Sequence, residues 1–132
     1  MTRRILIIDD DPILREIALA ILTAAGFECA VAEDGAAGLR QVAEFRPDLV
    51  MLDMVMPVMD GIETLAAIRA DWPQLPVAVM SAGTRSMSSA GLLRIASGLG
   101  AHQVLQKPLR AATLLPVVER LLAERGPDAL QA

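Results

Sequence analysis

Short apolar runs at Ile5–Ile8, Glu28–Ala32, Leu49–Leu52, Val77–Ser81 and Gln103–Gln106, separated by longer helix-like stretches, constrain this chain more than any other feature. The central runs show no alternation with polar residues, which is the pattern of parallel strands covered on both faces. Five such β-α units predict an α/β fold: a doubly wound, five-stranded parallel sheet with helices on both faces. Sheets of this kind bind ligands beyond the carboxyl ends of their strands, where the strand order reverses. Asp9, Asp10, Asp53, Ser81 and Lys107 all fall at or near such ends.

Local signals place the helices. Asp11-Pro12 predicts an acidic N-cap with proline in the first turn, for a helix running to about Ala25 and stopped by Gly26. A second helix is expected from Gly35 to Phe45 with Asp34 as its cap. A third should follow Asp60, with Glu63 as its capping-box partner, and end near Asp71 before Pro73. A fourth, over Ser86–Leu99, is weakened by Gly91 and Gly98 but keeps an apolar face of Leu92, Ile95, Ala96 and Leu99. A fifth covers about Ala111 to Arg125. Pro116 predicts a regular start near Thr113, and Gly126-Pro127 predicts the stop. Residues 1–126 thus read as one domain and 127–132 as a short flexible tail.

Composition narrows the function classes. The chain has 132 residues, 54% hydrophobic and 21% charged, enough for one real core. A net charge of -4 without a basic stripe argues against nucleic-acid binding by this chain. Cys29 is the only cysteine, which excludes an internal disulfide or a cysteine metal site, and it reads as a buried thiol. No apolar run is long enough to span a membrane, and the start does not resemble a signal peptide, so a cytoplasmic protein is expected. His102, the sole histidine, reads as an exposed surface residue.

Asp53 closes one apolar run, and Asp9-Asp10-Asp11 closes another. Two carboxylates roughly 4 Å apart repel by about 4 kcal/mol at an effective dielectric near 20. A fold that gathers them needs a cation, and a carboxylate so placed is also a candidate nucleophile.

These residues resemble the receiver domain of bacterial two-component response regulators. The resemblance rests on Ile-Ile-Asp9-Asp10-Asp11, the stretch Leu52-Asp53-Met54-Val55-Met56-Pro57-Val58-Met59-Asp60-Gly61, then Val79-Met80-Ser81-Ala82 and Gln106-Lys107-Pro108, in that order, and covers about residues 3–125. It implies a flavodoxin-like sheet of order 2-1-3-4-5. It implies that Asp53 accepts a phosphoryl group from a phosphohistidine, on a sensor histidine kinase or a histidine phosphotransfer protein. Asp10 is then a direct Mg²⁺ ligand, Asp9 its acidic neighbour acting through metal-bound water, and Asp53 and the backbone carbonyl of Val55 complete the set; Mn²⁺ is an acceptable substitute. Ser81 would hydrogen-bond the phosphoryl group, and Lys107 would pair with Asp53 and later with phosphoryl oxygens. A cis peptide is frequent in the family before the proline that Pro108 matches. Asp11 is expected to cap a helix.

Three departures bear on signalling. Val104 stands where relatives carry a switch aromatic, and Leu109 replaces the usual aromatic after Lys-Pro. Lys107 lies 26 residues after Ser81, about one helical turn more than is common, with the extra residues expected within Gly83–Ala90. Val55 and Gly83 offer no polar side chain to orient water, so a slow or metal-dominated dephosphorylation is expected.

The expected role is that of a stand-alone receiver, not an enzyme in its own right, that signals through protein contacts to an unidentified target. Alternatives are a phosphorelay intermediate or a receiver fragment of a hybrid histidine kinase. An aspartyl-phosphate phosphohydrolase is disfavoured because Met54 and Val55, not an acid-base carboxylate, follow Asp53. Leu114, Leu115, Val117, Val118, Leu121 and Leu122, with Met87 and Leu93, make either loose helix packing or a homodimer or kinase-docking face on the helix-four, strand-five, helix-five side. The clustered methionines Met51, Met54, Met56 and Met59 read as packing.

Overall fold

The computed structural model describes residues 2–54, 56, 61–81, 94, 97, 98 and 100–131. Its elements are β1 (Arg4–Ile8), α1 (Pro12–Ala24), β2 (Glu28–Ala32), α2 (Gly35–Phe45), β3 (Leu49–Asp53), α3 (Gly61–Asp71), β4 (Val77–Ser81), β5 (Gln103–Gln106) and a C-terminal helix (Ala111–Gln131). The five strands form one parallel sheet in the order β2-β1-β3-β4-β5, the doubly wound order expected.

Helix starts follow the sequence signals. The Asp11 carboxylate accepts the Ile13 N–H at 2.9 Å with Pro12 at the first helical position, and Asp34 accepts the Ala37 N–H at 2.8 Å. Gly26, at φ +96°, takes the left-handed turn that closes α1. α2 is closed instead by Arg46 at φ 54°, a left-handed cap on a residue type that gives no sequence signal for one.

Within a strand, alternate residues serve opposite layers. Ile5, Ile7, Met51 and Met80 join Leu14, Ala18 and Leu22 of α1 and Leu114, Val118, Leu121 and Leu122 of the C-terminal helix. Leu6, Ile8, Val50, Leu52 and Val79 join Val42 of α2 and Leu65 and Ile68 of α3. Each such side chain contributes about 1.5–3 kcal/mol on burial, so slipping β1 by one residue would exchange two filled layers. Val104 packs, half-buried, against the second layer.

The C-terminal helix has its expected outer start at Ala111 but corrects two expectations drawn from its prolines. Regular helix begins at Ala111 itself rather than near Thr113, because the Arg110 carbonyl accepts both the Thr113 and Leu114 N–H groups, at 3.1 and 2.8 Å. Pro116 therefore sits beyond the first turn. Its cost of about 3 kcal/mol is outweighed by burial of Leu114, Val118, Leu121 and Leu122. The helix also continues past Gly126-Pro127 to Gln131, so the stop and the separate tail from residue 127 are not where the backbone ends its helix. A glycine stops a helix by turning left-handed; Gly126 keeps the helical backbone, and Pro127 forfeits a single N–H donor.

Of the expected fourth helix, Arg94, Ser97 and Gly98 are helical; its other residues, with Met87 and Leu93, lie outside the described residues, as does the lengthened segment Gly83–Ala90. His102 is exposed, yet it is not idle. Its N–H donates to the Val77 carbonyl at 2.8 Å, and its Nδ1 accepts the Val77 N–H at 3.2 Å. Partial desolvation of its ring, helped by the Arg69 charge, holds its pKa below the usual value. Cys29 is half-buried rather than fully buried, and desolvation raises its pKa. Among the described residues, no helix is long and apolar enough to cross a membrane.

Candidate phosphoacceptor site

Sheet register assembles the site. Ile8 pairs with Leu52, so Asp9 and Asp53 leave β1 and β3 level with each other. Ser81 pairs with Gln106, which sets Lys107 one step past the end of β5, and the Lys107 N–H donates to the Ser81 carbonyl at 2.9 Å. Asp9 is fully buried, Asp53 and Ser81 are buried, and Asp10 is exposed. Carboxylate oxygens of Asp9, Asp10 and Asp53 lie within 4.8 Å of one another.

Lys107 Nζ stands 3.0 Å from Asp9 Oδ2 and 3.3 Å from Asp53 Oδ1. Asp9 Oδ2 finds no well-oriented hydrogen bond among the described residues, so the nearby ammonium compensates it by charge. Burial works against the Lys107 charge. The close contact with the Asp9 carboxylate, at 3.0 Å, and the charges of Asp53 and Asp9 outweigh it and leave the lysine pKa above its ordinary value. Three carboxylates facing one ammonium leave an excess of negative charge. The donors are hard oxygens, two on buried residues and one on an exposed residue, which fits a small hard dication. The Lys107–Pro108 peptide is cis.

Of the residues named from the sequence, Asp9, Asp10, Asp53 and Lys107 come together here, with Ser81 at the neighbouring strand end. Asp11 caps α1 as expected. Val55, Gly83 and Asp60 lie outside the described residues.

Gly61 is tied back to the end of β3: its N–H donates to the Met54 carbonyl at 3.1 Å. A Cβ at this position would overlap the Asp53 carbonyl oxygen and the Met54 Cα, both backbone atoms that cannot swing aside. Gly61→Ala should therefore displace the end of β3, lowering stability by about 1–3 kcal/mol, as overpacking does. Chemical denaturation measures this; an unchanged midpoint would mean that the loop yields freely.

Three features escaped the sequence reading. Lys107 is the only lysine among 12 basic residues, a count that alone sets it apart. Arg15, four residues after Asp11, donates from Nη1 to the Asp9 carbonyl at 2.8 Å. Ile13 and Ile17 are exposed on α1 and, with Pro108 and Leu109, line a groove of about 340 Å³ whose polar end is Asp11 and Lys107. The signal for the groove was present: Ile13, Ile17 and Ile21 repeat at four-residue spacing beside the buried stripe Leu14, Ala18, Leu22.

Comparison with known proteins agrees with this geometry. A family model described as the response regulator receiver domain matches residues 5–119. The transcriptional regulatory protein PrrA of Mycobacterium tuberculosis is 40% identical over 126 residues, covering 96% of this chain and 52% of its own length. The DNA-binding response regulator MtrA of Mycolicibacterium smegmatis is 37% identical over 124 residues, covering 92% of this chain and 51% of its own. The chain thus spans about half the length of the curated relatives it matches. Among solved structures, the chemotaxis protein CheY4 of Vibrio cholerae superposes with a TM-score of 0.84 at 28% identity, covering 92% of this chain and 99% of that one.

Proposed function

The chain belongs to the response regulator receiver domain family, and from that premise we propose that Asp53 takes a phosphoryl group from a partner's phosphohistidine in a Mg²⁺-dependent transfer. The observation that carries this reading is the single lysine bridging two buried carboxylates, one of them at the acceptor position, inside a three-carboxylate cluster. In the transfer, an Asp53 carboxylate oxygen attacks phosphorus, the P–N bond to the imidazole breaks, and the phosphoryl group becomes an acyl phosphate. No base is needed, because a carboxylate carries no proton to remove.

Asp9, Asp10, Asp53 and the Val55 carbonyl would hold Mg²⁺, which supplies charge neutralisation to the phosphoryl oxygens. Lys107 moves from its carboxylate partners to a phosphoryl oxygen, and the Ser81 hydroxyl donates to another. The groove beside Lys107, with its exposed Ile13 and Ile17, suits a partner that presents a helix with an apolar face next to its phosphohistidine. The chain acts in the cytoplasm as an acceptor and reporter rather than as an enzyme turning over free phosphate esters. Hydrolysis of the acyl phosphate is slow, since Val55 and Gly83 cannot orient water. Reporting does not run through an aromatic rotor, since Val104 is an aliphatic residue packed on the second layer.

Once Asp53 is phosphorylated, output runs through protein contacts, from a stand-alone receiver or a relay. The half-length match to relatives named as DNA-binding and transcriptional regulators supports a second reading, in which this receiver controls a DNA-binding segment of the same polypeptide. The mass of the protein isolated from its source decides between them.

Phosphotransfer profiling against the histidine kinases of the source organism tests the central reading. One kinase should label the chain within seconds in Mg²⁺ and fail to do so in chelator, and Ile13→Asp should slow that transfer at least about tenfold, the loss expected when a contact worth about 1.4 kcal/mol or more is removed. Labelling that is indifferent to chelator would sink the metal-dependent mechanism.

A further inference from the structure

Asp9 is engaged through both its backbone and its side chain. Its N–H donates to the Ala32 carbonyl at 3.1 Å, its Oδ1 accepts the Asp11 N–H at 2.9 Å, and its Oδ2 faces Lys107 at 3.0 Å. The remaining polar atom is the backbone carbonyl, and Arg15 Nη1 donates to it at 2.8 Å. That carbonyl belongs to the Asp9–Asp10 peptide, which is planar, so fixing its oxygen fixes the plane from which Asp10 departs. Asp10 is exposed, so packing does little to hold its carboxylate beside those of Asp9 and Asp53.

Arg15 is well placed to act as a clamp. Its N–H donates to the Asp11 carbonyl at 3.1 Å, which anchors it in the helix that Asp11 caps. Its half-buried side chain then reaches back to the strand end, tying α1 to the Asp9-Asp10-Asp11 turn at a second point.

We propose that Arg15 is a positioning residue for the phosphotransfer site: by holding the Asp9 carbonyl it aims the Asp10 carboxylate at the metal. This rests on the Mg²⁺-dependent reading above and deepens it. Two physical effects of opposite sign compete at this position. A guanidinium beside a metal site repels a dication, so if charge alone mattered, removing it would tighten Mg²⁺ binding. If positioning dominates, removing it weakens binding, by about tenfold, the lower end of what supporting residues around metal ligands contribute.

Calorimetric titration of the full chain with MgCl₂, beside thermal unfolding of each protein without metal, separates these effects. Arg15→Gln, whose amide donor is too short to reach the Asp9 carbonyl, should bind Mg²⁺ about tenfold more weakly than wild type, and Arg15→Lys, whose donor keeps nearly the reach of the arginine, should stay within about threefold. A constant for Arg15→Gln that is unchanged or tighter overturns the proposal, as does an Arg15→Lys constant as weak as that of Arg15→Gln. If Arg15→Gln unfolds below the assay temperature, Arg15→Lys alone decides by the same threefold limit. Wild-type protein that takes up no Mg²⁺ sinks the functional reading and this proposal together, whereas normal wild-type uptake with an unaffected Arg15→Gln sinks this proposal alone.

Discussion

Asp53→Asn should take no phosphoryl label from any donor, yet melt at a higher temperature than wild type in the absence of metal. The first half follows from chemistry: a neutral amide oxygen is too poor a nucleophile to form the acyl phosphate. The second follows from the charge count. Asp53 lies within 4.8 Å of two other carboxylates and meets one ammonium at 3.3 Å, an ammonium that Asp9 shares at 3.0 Å. At an effective dielectric near 20 each of these terms is about 3–5 kcal/mol, so two repulsions outweigh one attraction. Solvent around the exposed Asp10 screens part of the difference, leaving about 1 kcal/mol in favour of the asparagine, or roughly 4 °C in a domain of this size. Mg²⁺ should then reverse the order, because wild type gains binding free energy that the variant has largely lost. Melting curves with and without 10 mM-scale MgCl₂ (about that concentration, to saturate a weak site), beside a labelling assay, check all three statements. A variant that melts lower in the absence of metal would mean that the lysine pairing, not the repulsion, governs this corner of the core.

That the candidate site could be assembled from sequence at all rests on one physical fact: parallel strands of similar length deliver their final residues to one edge. β2, β4 and β5 have the bounds read from the apolar runs, and the residues after or at strand ends, Asp9, Asp53, Ser81 and Lys107, needed no further information to be placed near one another. The helices were legible where a side chain does the capping, as with Asp11 and Asp34. They were less so where the backbone does it. Arg46 turns left-handed without a glycine, and the Arg110 carbonyl begins the C-terminal helix ahead of Pro116. Gly126-Pro127 carries a stop signal that the backbone does not obey. In the site itself, the gathering of charged side chains at the strand ends could be read, whereas contacts made by reach could not. Arg15 touches a carbonyl six residues back, and no residue type advertises that contact. The α1 groove was missed for a different reason: Ile13 and Ile17 look like core until the neighbouring stripe Leu14, Ala18, Leu22 is seen to fill it.

Lys107→Met should lower the stability of the metal-free protein by about 3 kcal/mol near neutral pH, because it leaves buried carboxylates facing one another without a counter-charge. Asp9 is fully buried and its Oδ2 has the Lys107 ammonium as its compensation, so the loss falls on a group that water cannot reach. Mg²⁺ should restore a large part of it, since a dication supplies the missing charge to the same oxygens. The alkaline limb gives an independent check whose sign is fixed by the raised lysine pKa. A group that titrates higher in the folded state than in the unfolded one contributes its full stabilisation below the unfolded value, near 10.4 for lysine, and loses it as pH climbs through the folded value. Wild type should therefore lose stability above about pH 10.4, and Lys107→Met should not show that loss. This chain suits the measurement unusually well. It contains one lysine and no tyrosine, so no other lysine or phenol titrates in that window, and its one tryptophan, Trp72, packs half-buried against the second core layer as a fluorescent reporter of unfolding. Cys29 also ionises in alkali, and the Cys29→Ala background removes that contribution from both curves. Parallel wild-type and variant slopes above about pH 10.4 would show that the Asp9–Lys107–Asp53 bridge adds nothing to folding, and would leave its charge to serve the phosphoryl group alone.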